Sequence, residues 1–216
     1  MTKIRTIVLD FDGVLVESEE AKLNAFEDLF TLYPAYQSAM MVFHLTNYSL
    51  PRMAKFEHCV YNLMERPGDF KAVKTMAQQF SEMVMHRVIS CPDVRGAREF
   101  LHEFFGQVPL YISSVTPDSE LKSIIRARGI ESFFVEVFGD PPWKKSDAIQ
   151  TIIKRERLSV SEIIFVGDSA ADYRTAVEAG VEFVGRDSGL SFNGIDVRPY
   201  CDLSEIADVI RERVKT

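Results

Sequence analysis

The sequence predicts an α/β fold in which a doubly wound parallel β-sheet carries a helical domain inserted after its first strand. Three observations support this prediction. Residues 4–9 are rich in β-branched residues and have the composition of a buried strand. Residues 17–88 contain almost no glycine and place apolar residues at helical spacing. Beyond Cys91, short apolar segments alternate with helical patterns, as in parallel sheets covered by helices on both faces.

The individual elements follow from periodicity and from the positions of glycine and proline. In the inserted region, Phe26, Leu29 and Phe30 recur at intervals of three and four residues, as on one face of a helix. Gly129 and Gly180 stand where a glycine commonly ends a helix. After residue 91 the predicted order is helix 97–105, strand 108–113, helix 118–128, strand 134–138, helix 146–157, strand 163–166, helix 170–179 and strand 182–184.

This order predicts two domains. Residues 1–15 and 91–216 would form the sheet-containing core, and residues 16–90 would form a helical cap. Ligands of open α/β sheets bind beyond the carboxyl ends of the strands. A cap inserted after strand one would lie over that edge, so we expect the ligand site there.

The composition limits the possible partners. The 216 residues suffice for one core with a smaller inserted unit. A net charge of −7, from 25 basic and 32 acidic residues, disfavours nucleic acid. The three cysteines form no CxxC pair and the histidines have no metal-ligand spacing. With no signal peptide and no apolar run of roughly 18 residues, we expect a cytoplasmic protein, a monomer or small homo-oligomer, without a membrane partner.

Polar residues of definite type follow the predicted strands. Asp10 and Asp12, two positions apart, come directly after strand one and precede Gly13. Ser113 and Ser114 end the second strand. Because the carboxyl ends of parallel strands meet at one edge, we expect these side chains to lie near one another.

The later strands add a lysine and more carboxylates. Lys144 and Lys145 follow the third strand, Asp168 ends the fourth, and Asp172 comes one helical turn later. Converging carboxylates repel one another unless a cation lies between them, and Mg²⁺ commonly binds one or two carboxylates together with a substrate phosphate. The cluster therefore predicts a Mg²⁺ site.

Four motifs in this order resemble those of the haloacid dehalogenase superfamily, in particular its helical-cap members similar to phosphoglycolate phosphatase and beta-phosphoglucomutase. The resemblance spans the chain and implies a Rossmann-like core. The motifs are Asp10-Phe11-Asp12-Gly13-Val14, Tyr111-Ile112-Ser113-Ser114, Lys145 or Lys144, and Gly167-Asp168-Ser169 through Asp172.

The resemblance implies a mechanism for phosphoryl transfer. Asp10 would attack phosphorus and form an aspartyl phosphate. Asp12 would protonate the leaving alcohol and then activate water. Ser113, Ser114, neighbouring amides and the lysine, for which family spacing favours Lys145, would hold phosphoryl oxygens.

It also implies the metal ligands. Mg²⁺ would bind the Asp10 carboxylate, the Asp12 main-chain carbonyl and Asp168. Asp172 would support the metal through water or orient Lys145.

Asp12 bears on which reaction of the superfamily is expected. Haloacid dehalogenases lack a carboxylate at this position, because halide leaves without a proton. Phosphonate-cleaving relatives need a cap lysine that forms a Schiff base, and no motif matches Lys22, the nearest candidate, to that position. We therefore expect a phosphomonoester hydrolase acting on a small metabolite such as a sugar phosphate. The alternatives are a phosphomutase of the beta-phosphoglucomutase type and a non-catalytic regulator that binds a phosphometabolite.

Each motif residue also has a structural interpretation. Asp10 and Asp12 could cap a turn after a buried strand. Asp168 could be the N-cap of the following helix, and Asp172 a solvated residue of its first turn. The two lysines could be ordinary surface residues.

The cap is expected to select the substrate, and residues 44–56 are its most informative segment. Pro51 suits the first turn of a helix, so Arg52 and Lys55 would share a face. This pair could bind an anionic or hydroxyl-rich leaving group, or it could be part of a solvated helix face. Residues 17–18 are Glu-Ser, where many helical-cap relatives have Asp-Ser.

Overall fold

The computed structural model describes residues 3–47, 50–190 and 192–215. Residues 48 and 49 of the cap segment 44–56 therefore lie outside the described residues. The chain divides into two compact units, one comprising Met1–Ser18 with Cys91–Thr216 and the other Glu19–Ser90. None of the helices within the described ranges has the 18-residue apolar stretch that a membrane span requires.

The regular elements are as follows. The strands are β1 (Thr6–Leu9), β2 (Leu110–Ser114), β3 (Glu136–Gly139), β4 (Ile163–Gly167) and β5 (Glu182–Gly185). The helices are α1 (Glu19–Thr31), α2 (Gln37–Thr46), α3 (Arg52–His58), α4 (Phe70–Ser90), α5 (Ala97–Phe104), α6 (Asp118–Ala127), α7 (Lys145–Glu156), α8 (Ala170–Ala179) and α9 (Leu203–Lys215).

The first unit contains a parallel sheet with the strand order β3-β2-β1-β4-β5. This arrangement confirms the predicted α/β class. In β1, Leu9 pairs with Ile112 on one side and with Val166 on the other. The strand order changes direction at β1, and ligands of open sheets bind at such a switch point. The residues that follow β1, β2 and β4 thus emerge side by side.

The core beneath this edge is apolar and tightly buried. Every residue of β1 and of β4 is buried, as expected for central parallel strands. One cluster of the core packs one face of the sheet against helices α7 and α8; it includes Val8, Tyr111, Phe138, Ile149, Phe165 and Ala176. This packing holds the strands in place, so the residues at their carboxyl ends have fixed positions.

Several predicted boundaries differ from the structure. Strand β2 begins at Leu110 rather than Val108, because Pro109 has no N–H with which to continue the ladder. Strand β3 begins at Glu136 rather than at Phe134, because the Phe134 N–H donates to the Glu131 carbonyl at 3.2 Å and closes a 3-10 turn over residues 131–133. Pro51 precedes α3 as its N-cap instead of lying in its first turn.

The last helix, α9, was not predicted. Its buried residues recur at intervals of three and four, namely Leu203, Ile206, Ala207, Ile210 and Val214. This spacing is the ordinary signature of an amphipathic helix. The apolar spacing of residues 203–214 in the sequence is therefore sufficient to indicate this helix.

The second unit is helical. Helices α1 and α4 form its largest contact, and α3 packs on α4. Aromatic rings fill the space between them: Phe26 lies 4.2 Å from Phe80 and 5.9 Å from Phe56, measured between ring centroids. Aromatic residues thus form much of this unit's core.

Candidate active site

Three buried carboxylates converge at the carboxyl ends of β1 and β4. Asp10 follows β1 and donates its backbone N–H to Val166 at 2.8 Å, so the sheet ladder fixes its position. Asp168 follows β4, and Asp172 lies in the first turn of α8. Each contributes an oxygen to a group within which all distances are at most 4.8 Å. The structure therefore brings together three of the residues predicted to form the metal site.

Lys145 lies between two of these carboxylates. Its Nζ is 2.6 Å from Asp10 Oδ2 and 2.6 Å from Asp172 Oδ1. Burial lowers the pKa of Lys145, but the two carboxylates outweigh burial and raise that pKa above its usual value. Lys144, by contrast, is the exposed residue just before α7. Of the two candidate lysines, Lys145 is the one in contact with the predicted nucleophile.

The three carboxylates of the cluster, when ionised, carry more negative charge than Lys145 alone can offset. Burial, opposed by Lys145 and reinforced by neighbouring carboxylates, raises the pKa of Asp10 to about 7. Burial and the charges of Asp10 and Asp172 raise the pKa of Asp168 to about 8, against the opposing influence of the Ser188 side chain and Lys145. Removal from water and mutual repulsion both disfavour ionised carboxylates. A nearby cation would favour the ionised form and lower these pKa values again.

The donor set fits a hard divalent cation. Asp168 Oδ2 is buried and receives no hydrogen bond from the residues that the structure describes. Such an oxygen is costly to bury without a partner. Carboxylate and carbonyl oxygens are the ligands that Mg²⁺ prefers. Asp10, Asp168, Asp172 and the Asp12 carbonyl could hold it.

Gly13 allows the loop after β1 to approach Asp168. Its φ is +68°, in the left-handed region, and a Cβ at this position would overlap Asp168 Oδ2. A side chain here would be strained and would fill the space beside the orphaned oxygen. Glycine at position 13 is therefore required by the site geometry as well as by the turn.

Asp12 lies beside this group but has different partners. Ser18 donates to its Oδ1 at 2.6 Å, and Thr116 donates to its Oδ2 at 2.9 Å. Because a hydroxyl can both donate and accept, these partners suit a carboxyl group with or without its proton. Sequence reasoning missed the contacts of Ser18 and Thr116 with Asp12. No spacing rule could have indicated a pair such as Asp12 and Thr116, which are 104 positions apart.

The structural alternatives for the fourth motif are wrong. The N-cap of α8 is Ser169, not Asp168. Asp172 is not a solvated residue, because it is 1% exposed. Its Oδ2 accepts the Ser169 hydroxyl at 2.5 Å while its Oδ1 accepts Lys145. Asp172 thus connects the helix cap to the lysine.

The two serines of β2 have different surroundings. Leu9 and Ile112 are paired, so Ser113, near the end of β2, lies level with Asp10, which follows β1. Ser113 is buried. The Ser114 hydroxyl accepts the backbone N–H of Thr116 at 3.1 Å and so shapes the loop. Phosphate binding by either serine stays a prediction.

Arg52 and Lys55 belong to the helical unit. The Arg52 guanidinium lies 5.4 Å from the centre of the Phe80 ring, and Lys55 Nζ lies 3.1 Å from His44 Nδ1. Burial and the charge of Lys22 lower the pKa of Lys55 to about 8. Because Lys55 is 3% exposed, a solvated helix face is the wrong interpretation for this residue.

Comparisons with known proteins agree with the motif assignment. The profile of a family described as "Haloacid dehalogenase-like hydrolase" matches residues 7–186. The chain is 26% identical over 200 residues to a phosphoglycolate phosphatase of Vibrio cholerae, covering 88% of this chain and 87% of that protein. Its fold is similar to a haloacid dehalogenase-like hydrolase from Streptococcus pneumoniae, with 21% identity, a TM-score of 0.73 and coverage of 97% and 100%. It is also similar to the HAD-hydrolase YfnB of Bacillus subtilis, whose structure is described as bound to magnesium, with 16% identity, a TM-score of 0.72 and coverage of 97% and 99%.

Proposed function

The chain belongs to the haloacid dehalogenase-like hydrolase family and is a phosphatase of that family, and from this premise we propose that it hydrolyses small phosphomonoesters through an aspartyl phosphate on Asp10, with Mg²⁺ as cofactor. One observation carries the proposal. The Asp10 carboxylate is fixed at both oxygens, by the Phe11 N–H at 2.7 Å and by Lys145 at 2.6 Å, beside the orphaned oxygen of Asp168.

In the first step, an Asp10 carboxylate oxygen attacks phosphorus. A new P–O bond forms to Asp10, and the P–O bond to the leaving alcohol breaks. Asp12 gives its proton to the departing oxygen, so that a neutral alcohol leaves. Lys145, kept protonated by its two carboxylates, holds Asp10 in position and offers positive charge to the phosphoryl group.

In the second step, water attacks the phosphorus of the aspartyl phosphate. Asp12, now ionised, takes a proton from that water. The bond between phosphorus and Asp10 breaks, which restores the Asp10 carboxylate and releases inorganic phosphate. When bound at Asp10, Asp168, Asp172 and the Asp12 carbonyl, Mg²⁺ supplies positive charge that stabilises the phosphoryl oxygens.

The substrate class is part of the proposal. Only the phosphoryl group need contact the core, so residues 16–90 would act as a cap that recognises the leaving group. Arg52 and Lys55 supply cationic side chains there, which suits a sugar phosphate or a phospho-acid. The Vibrio cholerae relative, named for phosphoglycolate, supports including a small phospho-acid among the candidates.

The test is phosphate release from a panel of sugar phosphates, phosphoglycolate and nucleotides in the presence of Mg²⁺. Asp10→Asn should abolish release, whereas Asp196→Asn, the same change at an exposed loop position, should leave it as in wild type. EDTA should also abolish it. Full activity in Asp10→Asn would refute the nucleophile, and formation of a sugar bisphosphate without phosphate release would favour the phosphomutase.

A further inference from the structure

The carboxyl group of Asp12 is held by hydroxyls from two different loops. Ser18 lies six positions along the chain from Asp12, whereas Thr116 belongs to the loop after β2. We propose that Thr116 is a positioning residue that orients Asp12 for protonation of the leaving group. This inference rests on the proposed phosphatase function and assigns a role to a residue outside the four motifs.

The backbone of Thr116 is fixed on both sides. Its N–H donates to Ser114 Oγ at 3.1 Å, and its carbonyl accepts the Asp140 N–H at 3.1 Å. Pro117 follows, and a residue before proline is restricted to extended conformations. The Thr116 hydroxyl is thus presented from a rigid loop, and the contact with Asp12 is not that of a mobile surface side chain.

The second hydroxyl contact determines the direction in which Asp12 can deliver a proton. A carboxyl group held at one oxygen can still turn about its Cβ–Cγ bond. The contact from Thr116 to Oδ2 restricts that rotation while Ser18 holds Oδ1. A proton donor must come within hydrogen-bond reach of the leaving oxygen, and small misplacements slow proton transfer. Attack by Asp10 does not require this contact.

Two aryl phosphates of nearly equal shape separate these steps. The nitrophenolate of 4-nitrophenyl phosphate leaves without a proton, whereas the more basic phenolate of phenyl phosphate is helped by an acid. The ratio kcat/KM reports events up to phosphorylation of Asp10, before water attacks. Thr116→Val should lower kcat/KM for phenyl phosphate about tenfold, which is part of the rate gain that a general acid provides. The same variant should lower kcat/KM for 4-nitrophenyl phosphate by less than about twofold.

Two further variants make the result specific. Thr116→Ser retains the hydroxyl and should restore the wild-type value for phenyl phosphate. Thr151→Val removes a threonine hydroxyl that donates to the Asp147 carbonyl on α7 at 2.8 Å, and it should leave kcat/KM for both substrates unchanged. An equal loss for both substrates in Thr116→Val, no loss for phenyl phosphate, or failure of Thr116→Ser to restore it would overturn the assignment.

The proposed function can fail separately. A wild-type protein that releases phosphate from neither aryl ester nor any member of the panel would refute both the phosphatase and the role of Thr116. Turnover that depends on Asp10, with equal losses for the two aryl esters in Thr116→Val, would refute the role of Thr116 alone.

Discussion

Acidification from pH 7 to pH 4.5 should destabilise the protein through His44, which lies in the core of the helical unit. The His44 ring stacks on Phe26 with 4.0 Å between centroids, and its Nδ1 faces Lys55 Nζ at 3.1 Å. The side chain is 3% exposed. Burial, followed by the charge of Lys55, lowers the pKa of His44 to about 4.

The direction of the effect follows from proton uptake. The unfolded chain protonates His44 near its ordinary pKa of 6.5, whereas the folded chain does so near 4. Between these values the unfolded state binds more protons, so the free energy of unfolding decreases as the pH falls. At about 1.4 kcal/mol per pKa unit, the loss from pH 7 to pH 4.5 is roughly 2 kcal/mol. Lys55, whose pKa is lowered to about 8, stays protonated in both the folded and the unfolded state over this range. It therefore adds nothing to the pH dependence of the free energy of unfolding.

The assay is urea unfolding of the full chain at both pH values. His44→Asn keeps an acceptor near the position of Nδ1 but does not titrate, so it should lose about 2 kcal/mol less than wild type on acidification. His86→Asn, the same change at an exposed position of α4, should behave as wild type. Carboxylates titrate in all three proteins, so their contribution cancels in the comparison. Equal losses in wild type and His44→Asn would refute the reasoning.

The active-site loops give three further expectations. Gly13→Ala should lower the free energy of unfolding by about 1–2 kcal/mol, because φ is +68° there; unchanged urea unfolding would contradict it. Asp168→Asn should stabilise the metal-free protein at pH 8 by at least about 1 kcal/mol. The pKa of Asp168 is raised to about 8 in the folded wild type, so acidification protonates Asp168 in the folded state before the unfolded state. The stabilisation gained by Asp168→Asn should therefore shrink as the pH falls. A variant less stable than wild type at pH 8 in EDTA would contradict this expectation. Arg186→Met should cost about 1–3 kcal/mol, because its buried guanidinium binds Glu17 and donates to the Gly13 carbonyl at 3.1 Å. Glu17→Gln should cost less than about 1 kcal/mol, because Glu17 is 41% exposed; equal costs in urea unfolding would contradict this asymmetry.

The alternation of strands and helices could be predicted because parallel strands are continuous apolar segments with turn residues at their ends. Boundaries were harder, since they depend on local competition. At Pro109 the missing N–H delays the start of β2, and the N–H of Phe134, the first residue of the predicted strand, closes a 3-10 turn with Glu131 instead. Helix α9 has a clear amphipathic spacing, so the helical periodicity that indicated the other helices is sufficient to predict it as well.

The residues of the carboxylate cluster were accessible to sequence reasoning because each follows a strand and has a definite chemistry. Their partners were not, because contacts such as that of Thr116 with Asp12 join loops that periodicity does not relate. The environment of Lys55 was also unpredictable from helical spacing. Its ammonium group is covered by His44 and lies 5.3 Å from the centre of the Phe26 ring, and both residues come from other helices.

Chemical trapping of the intermediate tests the central claim most directly. Asp12→Asn removes the base needed for hydrolysis but still permits attack on 4-nitrophenyl phosphate, whose leaving group needs no proton. The variant should therefore release nitrophenol in a burst and accumulate phosphate on Asp10. Borohydride reduction followed by peptide mass spectrometry should find homoserine at position 10, and Asp12→Asn combined with Asp10→Asn should give neither burst nor homoserine. A burst with unmodified Asp10, or with the modification on another residue, would contradict the account.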